Sequence, residues 1–259
     1  MLRLINTKTH QLEIFYNWDQ VPPYAILSHT WEEGEVIFHD ISADVDKKKQ
    51  GWGKILGACI EAEKLGIFYL WVDTCCIFKE SSAELSESIN SMFAWYRDAR
   101  ICFAYIGDFG VNENEALFEK SRWWTRGWTL QELIAPTEVM FFTKDWSFIG
   151  FRTSLASRIT KITGISEGIL SGGNPHMLHN VSVAEKFSWA AKRKTTCGED
   201  RAYSLMGIFG VNMPMIYGEG EQAAFFRLQK EIFGVFADHS MFAWHRPSWY
   251  VNHVFQYQL

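Results

Sequence analysis

The sequence predicts an α/β domain, a mostly parallel sheet flanked by helices, followed by a C-terminal helical extension. Two observations carry this. Four short apolar runs, Tyr24–Leu27, Tyr69–Val72, Ile101–Ile106 and Val139–Phe142, alternate with segments of helical character. Beyond residue 180 helical patterns dominate. Polar residues gather where the apolar runs end, and in open parallel sheets ligands bind outside the carboxyl ends of the strands. Ser28, His29, Asp73 and Asp108 all fall at such ends.

In chain order, Leu4 to Phe15 reads as a short strand pair. Pro22-Pro23 then introduces Tyr24-Ala25-Ile26-Leu27-Ser28-His29, a buried strand whose polar end leads to Trp31. Ile55, Ala58, Cys59, Ala62 and Leu65 recur at helical spacing, with Gly66 as the stop. A second strand, Tyr69 to Val72, runs into Asp73 and Thr74. Ser81-Ser82-Ala83-Glu84 has the capping-box pattern, and Leu85, Ile89, Met92, Phe93 and Tyr96 mark an amphipathic helix behind it. The third strand, Ile101–Ile106, ends at Gly107-Asp108. A polar loop leads to a helical Trp128/Glu132 segment closed by Pro136, and the fourth strand follows. Gly168 to His179, with Gly172-Gly173-Asn174-Pro175, reads as a loop between the halves. Val183 to Lys194, Glu199 to Phe209 and Glu219 to Phe233 read as three helices, and after Trp244 the pattern fades into a loosely attached tail.

The totals narrow the class. Hydrophobic residues make up 47% of the 259 and charged residues 21%, the balance of a folded globular chain. Twelve Trp and 20 Phe imply a core rich in large rings, or a stacking site. A net charge of −5 argues against a nucleic-acid binder, and the clusters Lys47-Lys48-Lys49 and Lys192-Arg193-Lys194 are too short to outweigh it. The five cysteines are odd in number and form no C-x-x-C pair, so neither a disulfide framework nor a zinc pattern is present; reduced, mostly buried thiols are expected. No apolar run has the ~18 residues needed to span a bilayer, and the N-terminus has no signal-peptide pattern. A soluble, cytoplasmic protein is expected.

The stretch Ser121 to Ile134, SRWWTRGWTLQELI, holds the most chemistry. It places one carboxylate, Glu132, four residues after Trp128 in an otherwise apolar and basic segment. On a helix the two share a face, and an aromatic wall beside a single acid suits a nucleotide or sugar ring. The plainer alternatives are a salt bridge to Arg122 or Arg126, or plain exposure. Ser28, His29 and Trp31 form a second candidate group, with His29 a general base, a ligand contact or a histidine satisfied by nearby backbone. Asp73-Thr74-Cys75-Cys76 admits a thiolate nucleophile with His29 as its base, but the apolar setting favours inert core cysteines. Gly51-Trp52-Gly53-Lys54 follows no strand and has no Ser/Thr after the lysine, so it is no phosphate loop. Glu199-Asp200-Arg201 and Tyr217-Gly218-Glu219-Gly220 read as a helix start and a turn, either able to border a pocket.

Three ordered blocks, Tyr24-Ala25-Ile26-Leu27-Ser28-His29-Thr30-Trp31, Trp71-Val72-Asp73-Thr74-Cys75-Cys76-Ile77 and Arg126-Gly127-Trp128-Thr129-Leu130-Gln131-Glu132-Leu133, resemble the heterokaryon incompatibility (HET) domain of filamentous fungi. The segments Glu199 to Phe209 and Tyr217 to Gly220 are similar to members that head NOD-like receptors. Glu32 stands where the first block usually has Gly, and Phe78 departs from the second. The resemblance implies a role in non-self recognition that ends in programmed cell death. It also implies a likeness to Toll/interleukin-1 receptor (TIR) domains, hence a flavodoxin-like sheet. Trp128 and Glu132 would match the TIR Trp-x-x-x-Glu element, whose glutamate is catalytic in the TIR enzymes that cleave NAD.

On that resemblance, residues 1–245 are expected to form the domain, with a TIR-like core over 1–167, a helical extension over 180–245 and a tail over 246–259. The implied activity is hydrolysis of the nicotinamide-ribose bond of NAD. Glu132 would be catalytic, and Ser28, His29, Trp31, Asp73 and Trp128 would bind substrate. NAD would be a substrate rather than a cofactor, and no metal is needed. Self-association and NOD-like receptor modules are the implied partners. The alternative is a non-enzymatic death-signalling adaptor acting by self-association.

Overall fold

The computed structural model describes residues 1–42, 49–172 and 175–235. Lys47, Lys48, the last part of the expected extension and the expected tail lie outside the described residues.

Seven strands form one sheet: β1 (Leu2–Asn6), β2 (Leu12–Phe15), β3 (Ala25–His29), β4 (Tyr69–Trp71), β5 (Ile101–Ile106), β6 (Val139–Thr143) and β7 (Phe148–Phe151). Their spatial order is β2-β1-β4-β3-β5-β6-β7. The central four, β4-β3-β5-β6, are parallel, with Ile26 opposite Trp71 on one side and Cys102 on the other. In chain order they run second, first, third, fourth, the flavodoxin-like sequence that leaves a crevice at the carboxyl ends of the first and third strands. Antiparallel strands finish both edges, the β1-β2 hairpin against β4 and β7 against β6.

All five side chains of β3 are buried, because helices cover a parallel sheet on both faces. This is why Tyr24–His29 reads as a continuous apolar run rather than an alternating one. The short helix α1 (Phe38–Ser42) follows, and then α2 (Trp52–Lys64), which buries Ile55, Ala58, Cys59 and Ala62. After it the chain turns at Gly66, whose φ of 72° favours glycine. Ser81 caps α3 (Ser82–Asp98), accepting from the Glu84 amide at 3.3 Å. The reciprocal half of the capping box is absent: the Glu84 carboxylate instead takes the Phe78 amide at 2.8 Å and pairs with Arg3.

Between β5 and β6 lie α4 (Glu115–Glu119), a 3-10 turn over Arg122–Thr125 and α5 (Thr129–Ile134). After β7 come α6 (Ala156–Thr163) and α7 (Glu167–Ser171), then a 3-10 turn over Pro175–Asn180. The expected loop at Gly168 to His179 is therefore corrected: much of it is helical, in pieces too short to show periodicity. β7 is short, and of its four residues Gly150 alone is buried, so it left no alternating signal.

The last helices among the described residues are α8 (Val183–Ala190), α9 (Asp200–Tyr203), α10 (Met206–Phe209) and α11 (Glu221–Val235). The single helix expected over Glu199 to Phe209 is split at Ser204-Leu205. α10 lies so close to α3 that a Cβ on Gly207 would collide with Phe93.

One buried cation pins the connection that follows α5. Arg152 is almost fully buried and donates to the carbonyls of Leu133 (2.7 Å), Pro136 (2.9 Å), Thr137 (2.7 Å) and Leu170 (2.9 Å). It satisfies the open C-terminal end of α5 and ties it to α7. Arg152→Met leaves these carbonyls without their donor, and chemical denaturation is expected to show a loss of at least about 3 kcal/mol.

Candidate functional site

The local sequence brings Glu132 to the carboxyl edge of the sheet in two steps. Ser121 starts the 3-10 turn by accepting from the Trp123 amide at 3.1 Å, and Asp108 at the end of β5 holds both Ser121 Oγ (2.5 Å) and the Arg122 amide (2.9 Å). Thr129 then donates to the Trp123 carbonyl at 2.5 Å and the Arg126 carbonyl at 2.9 Å, folding the segment back into α5. One turn into that helix, Glu132 points at the end of β3.

There the Ser28 hydroxyl donates to Glu132 Oε2 in a short contact, and Trp123 Nε1 donates to Ser28 Oγ at 2.9 Å. Burial, with the nearby charge of Asp73, pushes the Glu132 carboxyl up to about 8, against the opposing pull of Ser28, Arg126 and Arg193. At neutral pH Glu132 is mostly a neutral acid. The ion pair with Arg122 or Arg126 is absent: Arg122 pairs with Glu32 at 3.0 Å and Asp108 at 3.6 Å.

Arg193, buried beside this group, donates to Thr129 Oγ1 (2.8 Å) and the Arg126 carbonyl (2.9 Å). Its Nη2 has no hydrogen-bond partner among the described residues. Burial lowers Arg193 to about 9 although Glu132 opposes this. It remains a cation at neutral pH.

Above Glu132 opens a cleft of about 750 Å³, lined by Trp31, Asp73, Trp128 and Glu132 together with Lys79, Arg122, Arg126, Lys194, Asp200 and Tyr217. Ile77, from the stretch after β4, and Leu85, Ile89 and Met92 of α3 form an apolar wall. Four of the six expected site residues thus line one cavity. The other two lie behind it. Ser28 is buried beneath Glu132. His29 is buried between two acids, with Nε2 3.6 Å from Glu35 Oε2 and Nδ1 3.9 Å from Asp73 Oδ1. Neither ring nitrogen has a hydrogen-bond partner among the described residues. Burial pushes Glu35 up, yet His29 and Lys54 together hold it down at about 2; Lys54 Nζ is 2.5 Å away.

The cleft walls are braced. Trp31 Nε1 donates to Asp73 Oδ2 at 2.9 Å, and Trp128 Nε1 to Asp200 Oδ2 at 3.2 Å. Asp200 also accepts from Tyr217 at 2.9 Å. Glu199 accepts from the amides of Gly218 (2.9 Å) and Gly220 (3.0 Å), so the helix-start and turn motifs hold each other beside the cleft. The C-terminal segment reaches the site through Lys194, whose amide donates to Thr125 (2.6 Å) and whose carbonyl accepts from Gly127 (2.8 Å). Gly127 permits this approach: a Cβ there would collide with Thr195. Cys75 and Cys76 are buried, and burial raises the Cys75 thiol well above its usual range, so the thiolate reading finds no support in this geometry.

Sequence reasoning missed Trp123, Arg193, Lys79 and the cleft role of Arg126. Trp123 and Arg126 stand in the segment already singled out, but nothing in their spacing shows which residue each one faces.

The chain belongs to the heterokaryon incompatibility family: the model of that family, "Heterokaryon incompatibility protein (HET)", matches residues 24–118. Over 223 residues the chain is 46% identical to the Vegetative incompatibility protein HET-E-1 of Podospora anserina, an overlap covering 82% of this chain and 16% of that protein. The chain therefore spans about a sixth of that relative's length. No solved structure matches it. No described helix is long and apolar enough to cross a membrane, and no metal-binding cluster of His, Cys, Asp or Glu occurs among the described residues.

The raised Glu132 carboxyl makes stability depend on pH. Between its ordinary value of 4.5 and about 8 the folded state holds a proton that the unfolded chain releases. This contribution is full below 4.5 and is lost as pH rises through 8. Glu132→Gln removes it, so the melting temperature of the variant relative to wild type is expected to rise between pH 5 and pH 9. The corresponding change is on the order of 3–5 kcal/mol, and a pH-independent difference would contradict the assignment.

Proposed function

We propose that this domain acts in fungal incompatibility and cell death by hydrolysing NAD at the nicotinamide-ribose bond. The observation that carries the reading is the buried carboxyl of Glu132 at the base of a cleft lined by Trp31, Trp128 and Tyr217. The flavodoxin-like strand order and the TIR-like spacing of Trp128 and Glu132 support it. The likeness to an incompatibility protein supports the biological role.

In this reading the cationic nicotinamide riboside enters a site where Glu132 rests as a neutral acid. A positive charge placed beside a carboxyl favours its ionised form, so binding expels the proton and creates the carboxylate that the reaction requires. The C1′–N bond then breaks, and its electron pair leaves with nicotinamide, which is already a good leaving group. The carboxylate hydrogen-bonds a ribose hydroxyl and stabilises the oxocarbenium-like transition state. Water adds at C1′ and loses its proton to solvent, giving ADP-ribose. Ser28, itself held by Trp123, fixes the rotamer of Glu132. His29 lies behind the wall, 3.9 Å from Asp73, and does not itself line the cleft.

One observation favours the adaptor reading. Glu132 and Trp128 each have an intramolecular partner, Ser28 and Asp200, so both could serve as ties within the fold. In that case self-association, in cis or in trans with NOD-like receptor modules, would carry the signal. In the hydrolase reading the same clustering would raise turnover.

NAD consumption by the purified domain at high concentration separates the two. Wild type is expected to consume NAD and Glu132→Gln to lose at least about 100-fold in rate. If neither protein consumes NAD when forcibly dimerised, and wild type still kills cells, the hydrolase reading is wrong and the adaptor reading replaces it.

A further inference from the structure

We propose that Lys79 and Arg126, set over the ring of Trp31, form an anion subsite through which the cleft selects phosphate-bearing nucleotides over uncharged nucleosides. The proposal rests on the nucleotide reading of the Glu132 end and assigns the other half of the ligand.

Lys79 Nζ lies 3.7 Å from the centre of the Trp31 ring and Arg126 Cζ 5.0 Å from it. Both side chains line the cleft. Among the described residues neither has a carboxylate within salt-bridge distance, whereas Lys49, Lys54, Lys144, Arg201 and Arg227 are all paired. Burial lowers the affinity of Lys79 for its proton and the charge of Arg126 adds to this, although Asp73 opposes both. Two cations are thus held near one another, partly out of water. The ring quadrupole attracts both cations, less strongly than a full counter-charge would.

A chain of net charge −5 has no general excess of base to explain this cluster. The acids nearby are already engaged, Asp73 with Trp31 Nε1 and Asp200 with Trp128 Nε1 and Tyr217. A phosphate or pyrophosphate would supply what is missing: an anion with several acceptors, met bidentately by Arg126 and as a point charge by Lys79. A volume of about 750 Å³ leaves room for a whole nucleotide beside that group.

The test is titration calorimetry with ADP-ribose, inorganic pyrophosphate and adenosine as probes, on wild type, Lys79→Gln, Arg126→Gln and Lys79→Arg. Arg126 supports the fold through its carbonyl, which accepts from Arg193 and Thr129, so Arg126→Gln leaves that scaffold in place. ADP-ribose is expected to bind wild type and Lys79→Arg, more weakly as salt rises, and to lose about tenfold or more in each Gln variant. Adenosine is expected to bind weakly and equally to all four. Unchanged ADP-ribose affinity in both Gln variants, or adenosine binding as tightly as ADP-ribose, overturns the subsite. Charge-dependent ADP-ribose binding without NAD turnover leaves the subsite standing and removes the hydrolase reading. Turnover with an unchanged KM in both Gln variants does the reverse.

Discussion

The structure depends on a carboxyl group held out of water at the end of the central strand. Glu132 sits where β3, the 3-10 turn and α5 converge, and its short contact with Ser28 joins the sheet to the helical layer. A buried acid without a counter-ion at contact distance is costly as an anion and tolerable as a neutral group. The surroundings fit the neutral form: Ser28 braced by Trp123, Asp73 adding negative charge, and Arg193 spending its nearest donors on Thr129 and the Arg126 carbonyl.

Sequence-distant segments assemble around that group. The end of β3 supplies Ser28 and, past it, Trp31; the turn after β4 supplies Asp73 and Lys79; and the stretch before β6 supplies Trp128 and Arg126. The C-terminal segment is part of the site, because Asp200, itself held by Tyr217, accepts from Trp128, and Lys194 pairs with the backbone of Thr125 and Gly127. The family match over residues 24–118 stops short of Trp128 and Glu132. The site thus joins the matched segment to the chain that follows it.

Much of this was legible in advance for identifiable reasons. A parallel strand buried on both faces reads as an unbroken apolar run, so β3 to β6 could be placed, and parallel connectivity puts their polar ends on one edge. That led to Ser28, His29 and Asp73, whereas Glu132 came from its four-residue spacing to Trp128. The short pieces did not announce themselves: α7 and β7, of five and four residues, span too few positions for a periodicity to emerge. Nor did partnerships set by tertiary packing. Spacing could propose Arg122 as the partner of Glu132, but Glu32 and Asp108 take that guanidinium, and nothing local predicts that Trp123 would reach Ser28. His29, one of the expected residues, does not line the cleft but is buried behind it, between Glu35 and Asp73.

The raised carboxyl of Glu132 links fold to the proposed chemistry, since a neutral acid is tolerable when buried and would ionise beside the cationic substrate of the proposed hydrolase. The most direct measurement is a carbon-13 NMR titration of the Glu132 side-chain carboxyl in the free domain, assigned by comparison with Glu132→Gln. The account predicts a midpoint near pH 8, and a signal already that of a carboxylate at pH 6 would contradict it.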